Sequence, residues 1–335
     1  MITIADVARA ANVSVSTVSK VINGRRDVAQ ATRARVLAAI RQLDYHSNSN
    51  ARGLRIRRTM LIGLVVHYLD HDYFQGIIAG VESAAYARGY NVVISNCQLS
   101  IEREQALIKS LLQQRVDGLI FALPMTDDAE LLALMQRGAR FVVVGRPVLV
   151  DLIAPTIIGD HEGGAYDAVT HLIRAHGKRR IAYIQGPPEQ NDCFLGYCRA
   201  LSDAGLPFVS ELVGCAQRSA ENAGLALEKM IRDGDRPDAV FCFNDELAHG
   251  VYRRAARLGL HIPRDLAVIG VDDTKVASCL TPGLTSVRVP TFRMGELAAN
   301  ELLDLLEGGG SAPGRQVLPT QLVPRGSCGC PEPRD

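Results

Sequence analysis

The first 45 residues carry apolar side chains at the spacing of three successive short helices. The three apolar sets are Ile4, Val7, Ala8 and Ala11; Val18, Val21 and Ile22; and Val36, Ala39, Ile40 and Leu43. Because residues three and four apart share a helix face, each set predicts a buried stripe. Thr3 and Asp6 predict a capping box on the first helix, and Ser14 predicts the N-cap of the second. Two helices joined by a short turn and packed under a third form a helix-turn-helix.

From residue 60 onward, short apolar runs alternate with helical patterns such as SIEREQALIKSLLQQR at 100–115. Seven strands are predicted, at LIGLVV (61–66), YNVVIS (90–95), GLIFAL (118–123), RFVVVG (140–145), RIAYIQ (180–185), AVFCF (239–243) and LAVIGV (266–271). Such alternation builds parallel sheets with helices on both faces. The pattern of strand and helix segments changes near residue 160, and with seven strands this favours two similar lobes over a single sheet. We therefore predict a small all-α helix-turn-helix head and an α/β core of two doubly wound parallel-sheet lobes.

Polar or aromatic side chains follow several of these strands, where open α/β sheets bind their ligands. The candidates are Tyr73 and Phe74, Asp127, Asn244 and Asp245, and Asp272 and Asp273. Carboxylates and amides can hydrogen-bond to hydroxyl groups, and an aromatic ring can cover the apolar face of a sugar. The alternative for each Asp or Asn is a helix N-cap. We favour that alternative for Asp245 and Asp273.

The formal charge of +1 hides an uneven distribution. Residues 1–58 contain eleven Lys and Arg against three acidic residues, a net charge of +8, and the remainder carries −7. With 335 residues, of which 47% are hydrophobic, the chain is long enough for two or three domains with their own cores. A basic end on an acidic body predicts that the small end meets a polyanion. A solvated basic face is the alternative.

The segment VSVSTVSKVINGR, residues 13–25, combines hydroxyl groups and one Lys with no acidic residue. In a helix-turn-helix the second helix enters the major groove, where small polar side chains and helix-end amides hold phosphates. We expect Val15, Ser16 and Lys20 to face bases. Phosphate contacts are expected at Thr17, Ser19 and Asn23. The alternative is the polar solvent face of an ordinary helical bundle.

No apolar stretch reaches the roughly 18 residues of a membrane span, and the N-terminus does not resemble a signal peptide. We therefore expect a cytoplasmic protein without a membrane partner. The motifs G-x-x-x-x-G-K-[ST], G-x-G-x-x-G, G-x-S-x-G and H-E-x-x-H are absent, so neither an enzyme nor a cofactor is predicted.

Eight cysteines include no CxxC pair and no His partner at zinc-finger spacing. The CGC at 328–330 could bind a metal or form a strained disulfide. In a cytoplasmic tail we favour idle thiols over either role and predict no metal site.

Several segments together resemble the LacI/GalR family of transcriptional repressors. They are TIADVARAANVSVSTVSKVING, TRARVLAAIRQLDY, NSNARGLR, RVDGLIFAL, HLIRAHGKRRIAYIQG, NDELAHGVYRRAARLGLHIPRDLAVIGVDD and LTSVRVPTFRMGELA, in family order. The resemblance covers nearly the whole chain. It implies a DNA-binding domain at 1–46, a hinge helix or linker at 47–58 and an effector-binding and dimerisation domain at 59–335. Its two periplasmic-binding-protein-like lobes would comprise about 59–160 with 289–318, and about 161–288 with 319–330.

The resemblance also implies DNA contacts outside the second helix. These fall at Thr3, Asn48, Ala51, Leu54 and Arg55, and the family's hinge leucine, which matches Leu54, wedges into the minor groove. The linker departs from the family by having Ser47 for Pro, Asn50 for a branched apolar residue and Gly53 for Ser. Gly in place of Ser should cost a hinge helix about 0.5–1 kcal/mol. A plain flexible linker is the alternative.

For the effector, the resemblance implies contacts at Asn244 and Asp272. The family's usual Arg, three residues before a Gly-aromatic pair, is Cys193 here, and an aromatic stacking position is Ala216. Gln190 and Asp192 are the candidate substitutes for the missing bidentate Arg. A carbohydrate is the predicted effector, with a nucleobase stacked on Tyr73 and Phe74 as the alternative.

The resulting prediction is a homodimeric repressor that a carbohydrate inducer releases from a palindromic operator. A corepressor-type regulator is one alternative. A sugar-transport protein or a sugar-converting enzyme on the same lobes is another, disfavoured by the basic head and the missing motifs. The tail shows no heptads, so no tetramer-forming coiled coil is predicted. LVPRGS at 322–327 has the sequence of an engineered protease site, but it continues the family's last strand, and we interpret it as native.

The charge of the head generates a first prediction. DNA affinity should fall steeply as salt concentration rises, because each neutralised phosphate contributes a log–log slope of about 0.9. Fluorescence anisotropy with duplex DNA at several salt concentrations measures this slope. A nearly flat plot would rule out a phosphate-binding head.

Overall fold

The computed structural model describes residues 2–22, 25, 27–45, 58–146, 154–186, 191–309 and 314–331. The chain forms two compact units, Met1–Met60 and Leu61–Asp335. Among the described residues, no helix has the length and apolar character needed to span a membrane.

The described residues of the first unit form three helices, α1 (Ile4–Ala10), α2 (Val15–Ile22) and α3 (Gln30–Gln42). Val7, Val18 and Val36, one from each helix, are fully buried and form the centre of its core. The predicted capping box is present, since the Asp6 N–H donates to Thr3 Oγ1 and the Thr3 N–H donates to an Asp6 carboxylate oxygen. The predicted cap of α2 is also present, with the Thr17 N–H donating to Ser14 Oγ at 3.1 Å.

The second unit contains two six-stranded sheets. The first sheet has the order β11-β5-β4-β3-β1-β2 and the second β12-β10-β9-β8-β6-β7. The strands are β1 (Leu61–Val66), β2 (Asn91–Asn96), β3 (Gly118–Ala122), β4 (Phe141–Val144), β5 (Thr156–Gly159), β6 (Ile181–Gln185), β7 (Val213–Cys215), β8 (Ala239–Cys242), β9 (Ala267–Asp272), β10 (Thr285–Arg288), β11 (Arg315–Leu318) and β12 (Gln321–Val323). All neighbours are parallel except β10 and β12.

Helices connect these strands. They are α4 (Asp72–Ala87), α5 (Ile101–Gln113), α6 (Asp128–Gln136), α7 (His161–His176), α8 (Asp192–Asp203), α9 (Ala220–Arg232), α10 (Asp245–Arg257), α11 (Lys275–Cys279) and α12 (Thr291–Glu307). Glycines let helix pairs approach closely. A Cβ on Gly80 of α4 would lie 2.0 Å from the carbonyl oxygen of Phe292 in α12. A Cβ on Gly250 of α10 would lie 1.8 Å from the carbonyl oxygen of Ala220 in α9.

The chain passes between the two sheets three times. It leaves the first sheet after β5, returns between β10 and α12, and crosses again between β11 and β12. We call the region around the first sheet the N-lobe and the region around the second the C-lobe. The first and third crossings are hydrogen-bonded to each other, because Thr320 Oγ1, after β11, donates to the Asp160 carbonyl oxygen, after β5, at 3.0 Å.

The predicted fold class is confirmed, and all seven predicted strands are present. Five further strands, β5, β7, β10, β11 and β12, were not predicted. Each has only three or four residues, and neither the mostly exposed β11 nor the β12 segment, QLV, contains more than two consecutive apolar residues. The antiparallel β12 is also a departure from the predicted parallel sheets.

The LVPRGS segment is an integral part of the C-lobe. β12 runs into a short 3-10 helix, Gly326–Cys328, whose residues are all buried. The Ser327 hydroxyl donates to the Val268 carbonyl oxygen at 2.5 Å and accepts from the Thr285 N–H at 2.8 Å. These bonds join the segment to two neighbouring strands, β9 and β10.

The close approach of α9 and α10 yields a stability prediction. Gly250→Ala should destabilise the protein by about 1–3 kcal/mol, because the new methyl group meets backbone that cannot move without repacking two helices. The loss is expected although Ala favours helix by about 0.5–1 kcal/mol over Gly. Gly309→Ala is the matched control, since no atom lies within 4 Å of its Cβ position. Urea unfolding compares the two, and equal midpoints would contradict the steric argument.

Candidate functional site

Asp272 is the last residue of β9 and lies in the left-handed region of backbone conformation, with a φ of 100°. Asp273 follows with a φ of 51°. Residues other than glycine in such conformations cost about 1–3 kcal/mol each and persist only where surrounding contacts hold them. Two consecutive strained aspartates at the carboxyl end of a central strand therefore indicate a position fixed for a purpose other than stability.

The side chains of Asp245, Arg288 and Arg325 hold this strained turn in place. The buried Asp245 carboxylate accepts from the Thr274 N–H at 2.7 Å and from the Ser286 hydroxyl at 2.6 Å. The Asp273 carboxylate pairs with Arg325 at 2.6 Å and Arg288 at 2.7 Å. These are structural roles. Neither aspartate is the helix N-cap that the sequence favoured, because both carboxylates bind the turn and its neighbouring strands.

The Asp272 carboxyl is the centre of an acidic neighbourhood. Burial raises its pKa well above the usual value, and the nearby Asp245 and Asp72 carboxylates raise it further. Burial also raises the pKa of Asp245, to about 6. The Lys275 N–H of the C-lobe donates to Asp72 Oδ2 of the N-lobe at 2.8 Å. The acidic neighbourhood of Asp272 therefore lies where the two lobes meet.

Tyr73 is the aromatic member of this site. Its side chain is 7% exposed, and its hydroxyl has no hydrogen-bond partner among the described residues. Burial raises the pKa of this hydroxyl and Asp272 adds to the effect, so the group stays protonated and is near that carboxyl. A buried hydroxyl without a partner costs about 1–3 kcal/mol, which a polar ligand would offset.

Asp192 and Cys193, in the first turn of α8, complete the neighbourhood. Burial raises the pKa of the Cys193 thiol, with contributions from Asp272 and Asp192. Burial lowers the pKa of His161, against the effect of Asp192. Of the predicted effector residues, the structure thus groups Tyr73, Asp192 and Asp272. Cys193 belongs to the same group, in the position where the family's Arg was expected.

The other predicted effector residues have structural partners. Asn244 caps α10, its Oδ1 accepting from the Leu247 N–H at 2.9 Å, which leaves only its amide N–H groups as donors for a ligand. Asp127 is exposed and caps α6 by accepting from the Glu130 N–H at 2.8 Å. Phe74 is buried and packed by four rings, of which Tyr73 is one. Effector contacts at these three residues remain predictions.

Sequence reasoning missed a buried polar cluster directly after β1. Glu104, fully buried, accepts from the Thr126 N–H at 2.7 Å and the Met125 N–H at 3.2 Å, which fixes the turn after β3. His67 Nε2 lies 3.9 Å from Glu104, and burial lowers the pKa of His67 to about 4. The sequence feature that could have indicated this cluster is a His, His67, directly after the apolar run of β1.

In the first unit, Val15 is 44% exposed at the start of α2, and Ser16 and Lys20 are exposed as well. Thr17 and Ser19 are half-buried, and the Thr17 hydroxyl lies 2.8 Å from Ser14 Oγ. The structure therefore leaves the three residues predicted to face bases accessible. It also adds an unexpected partner, because Lys20 Nζ pairs with Asp27 at 2.8 Å.

Six predicted site residues lie outside the described residues. They are Asn23, Asn48, Ala51, Leu54, Arg55 and Gln190. The same holds for the linker departures Ser47, Asn50 and Gly53.

Cys328 and Cys330 are free thiols that lie against a histidine which the sequence did not indicate. Their Sγ atoms lie 3.5 Å and 3.4 Å from Nε2 of His171 in α7. The His partner was missed because it is more than 150 residues away in the chain and becomes a neighbour only through the C-lobe fold.

A helix-turn-helix unit followed by two parallel α/β lobes with a polar site where they meet defines a ligand-controlled DNA-binding protein. Residues 3–48 match bacterial regulatory proteins of the lacI family, and residues 169–328 match a periplasmic binding protein-like domain. The chain is 37% identical to the HTH-type transcriptional repressor PurR of Erwinia tasmaniensis, over 91% of this chain and 90% of that protein. The protein belongs to the LacI family.

Solved structures agree with this assignment. A Lac repressor dimer bound to operator and the anti-inducer ONPF superposes with a TM-score of 0.87, at 30% identity over 98% of this chain and 99% of that one. The transcriptional regulator CelR in complex with cellobiose has a TM-score of 0.75 and 33% identity, over 98% and 100%. The protein is thus a DNA-binding transcriptional repressor controlled by a small-molecule effector, and not an enzyme.

The Lys20–Asp27 pair generates a prediction for DNA binding. Asp27→Asn should tighten duplex binding and steepen its salt dependence, because it frees Lys20 and removes a negative charge beside α2. Asp44→Asn is the control for the same charge change elsewhere in the head. Anisotropy titrations at two salt concentrations compare them. If both variants change DNA affinity equally, the Lys20–Asp27 ion pair does not compete specifically with DNA for Lys20.

Proposed function

We propose that the protein is a homodimeric repressor of a palindromic operator, released when a neutral polyhydroxylated ligand of the sugar class binds beside Asp272. The observation that carries the ligand site is the buried Tyr73 hydroxyl, which has no described partner and adjoins the strained Asp272. A ligand hydroxyl can accept from Tyr73 and donate to Asp272 simultaneously.

The charge of the site supports a neutral ligand over a sugar phosphate or a sugar acid. Burial raises the pKa of Asp272, and the nearby Asp245 and Asp72 carboxylates raise it further, so a further anion beside them would meet repulsion. The Arg that would clamp a carboxylate or phosphate is replaced by the buried Cys193. The cellobiose bound by the related CelR is a neutral carbohydrate of the kind proposed.

A stacked nucleobase is less well supported. Phe74 is 4% exposed and surrounded by His67, Tyr68, His71 and Tyr73, so its ring faces are engaged in packing. In a corepressor-type regulator, a ligand at the same site would strengthen operator binding instead of weakening it. The sign depends on which lobe arrangement the ligand prefers, and a shift from 1:99 to 99:1 requires a differential affinity of about 5.5 kcal/mol.

The remaining assignments follow from DNA recognition. Residues 1–46 form the DNA-binding domain, 47–58 the hinge and 59–335 the effector and dimerisation domain in this proposal. Val15, Ser16 and Lys20 contact bases, and Thr3, Thr17 and Ser19 hold phosphates. A dimer matches a palindrome because two-fold symmetric proteins bind two-fold symmetric sites. Binding to genomic DNA places the protein in the cytoplasm.

A thermal-shift panel tests the ligand class. Wild-type protein is screened against neutral sugars, sugar phosphates, sugar acids and nucleobases, since a ligand at 100 times its Kd adds about 2.7 kcal/mol of stability. We expect a neutral sugar to raise the Tm. A response confined to anions or nucleobases would overturn the proposed class.

The same ligand then tests the site. Asp272→Asn should abolish the Tm shift and the effect of ligand on operator binding while leaving operator affinity unchanged, because it turns a hydroxyl acceptor into an amide donor. Asp233→Asn, an exposed residue of the same lobe, should respond like wild type. A full ligand response in Asp272→Asn would refute the site. Titrating ligand into operator-bound protein distinguishes release from tighter binding.

A further inference from the structure

The last turns of α7 and the tail of the C-lobe bring two imidazoles and two thiols together. His171 and His176 lie five residues apart in α7, with their Nε2 atoms 3.1 Å from each other. Cys330 Sγ lies 3.4 Å from both Nε2 atoms, and Cys328 Sγ lies 3.5 Å from that of His171. All four atoms are within 4.8 Å of one another.

Gly329 shapes the tail to present both thiols. Its φ of 106° lies in the left-handed region, and a Cβ at this position would lie 3.1 Å from His176 Nδ1. A glycine therefore satisfies both the backbone conformation and the close approach to the imidazole. Cys328 is held from the other side, because its residue is buried and the Thr285 hydroxyl donates to its Sγ at 3.2 Å.

We propose that His171, His176, Cys328 and Cys330 bind one Zn²⁺ ion in a closed Cys₂His₂ site. Zinc takes four tetrahedral ligands at about 2.3 Å from sulfur and about 2.0–2.1 Å from nitrogen. Such a tetrahedron separates sulfur from nitrogen by about 3.5 Å and two nitrogens by about 3.3 Å. The observed separations of 3.4–3.5 Å and 3.1 Å match these values to within a few tenths of an ångström.

The ligand set selects the ion. Two thiolates and two imidazoles in a tetrahedral arrangement favour zinc, whereas Mg²⁺ and Ca²⁺ require oxygen ligands. Binding replaces the two thiol protons, so two protons are released for each ion bound. Cys330 and both His side chains are half-buried, so an ion can reach the site from solvent.

The role of the ion is structural. Protein atoms fill all four positions, which leaves no open position for a substrate. Coordination ties the 3-10 helix Gly326–Cys328 to α7, and the same tail carries Arg325, which holds Asp273 in the turn beside Asp272. Zinc would thus fasten the segment that supports the effector site. The zinc site rests on its own geometry and is independent of the proposed function.

The test uses full-length protein, reduced, treated with chelator and titrated with Zn²⁺ against a chromophoric competitor. We expect one ion per chain, a higher Tm, and release of two protons in weakly buffered solution. Co²⁺ should give the intense visible bands of a tetrahedral site and thiolate-to-metal charge transfer in the near ultraviolet. The absence of zinc uptake, or the pale spectrum of an octahedral cobalt ion, would overturn the proposal.

Variants assign the ligands. Cys330→Ser and His176→Gln should each weaken zinc binding by more than about 100-fold, since even loss of a partner that orients a ligand costs about 10–100-fold. Cys215→Ser, which removes an exposed thiol of the same lobe, should bind zinc like wild type. Zinc affinity unchanged in Cys330→Ser would refute the site.

Discussion

The proposed effector site depends on the buried carboxylate of Asp245. It binds Thr274 and Ser286, and through them it fixes the turn in which Asp272 and Asp273 have positive φ. Without such contacts, two adjacent aspartates would relax to ordinary backbone, because the strain amounts to a few kcal/mol. With a third hydrogen bond, from the Thr274 hydroxyl, this carboxylate can be buried at acceptable cost, although burial still raises its pKa to about 6.

The same turn links the two lobes. Lys275 follows it directly and donates its backbone N–H to Asp72 of the N-lobe, while Tyr73, the next residue, places a buried hydroxyl near Asp272. A ligand at Asp272 would therefore contact both lobes and sense their separation. An effector shifts repression only if its affinity differs between lobe arrangements, and a site built from both lobes meets that condition.

The tail of the C-lobe supports this turn from the far side. Arg325 pairs with Asp273, Ser327 bridges β9 and β10, and Cys328 and Cys330 lie against α7. A segment that resembles a disposable cleavage sequence is therefore part of the framework of the site. Its sequence alone does not reveal this role, because its partners come from strands and a helix distant in the chain.

The sequence by itself determined the helical head, the seven long apolar strands and the polar residues at the strand ends where we propose the effector site, because periodicity and strand ends are local features. Only the tertiary structure decided which polar residue serves which purpose. Asn244 caps a helix, Asp273 binds two arginines and Asp272 remains beside Tyr73. Local sequence patterns also could not predict short strands such as β7 or the histidine neighbours of Cys330. Strand pairing and side-chain clusters arise from contacts between residues far apart in the chain.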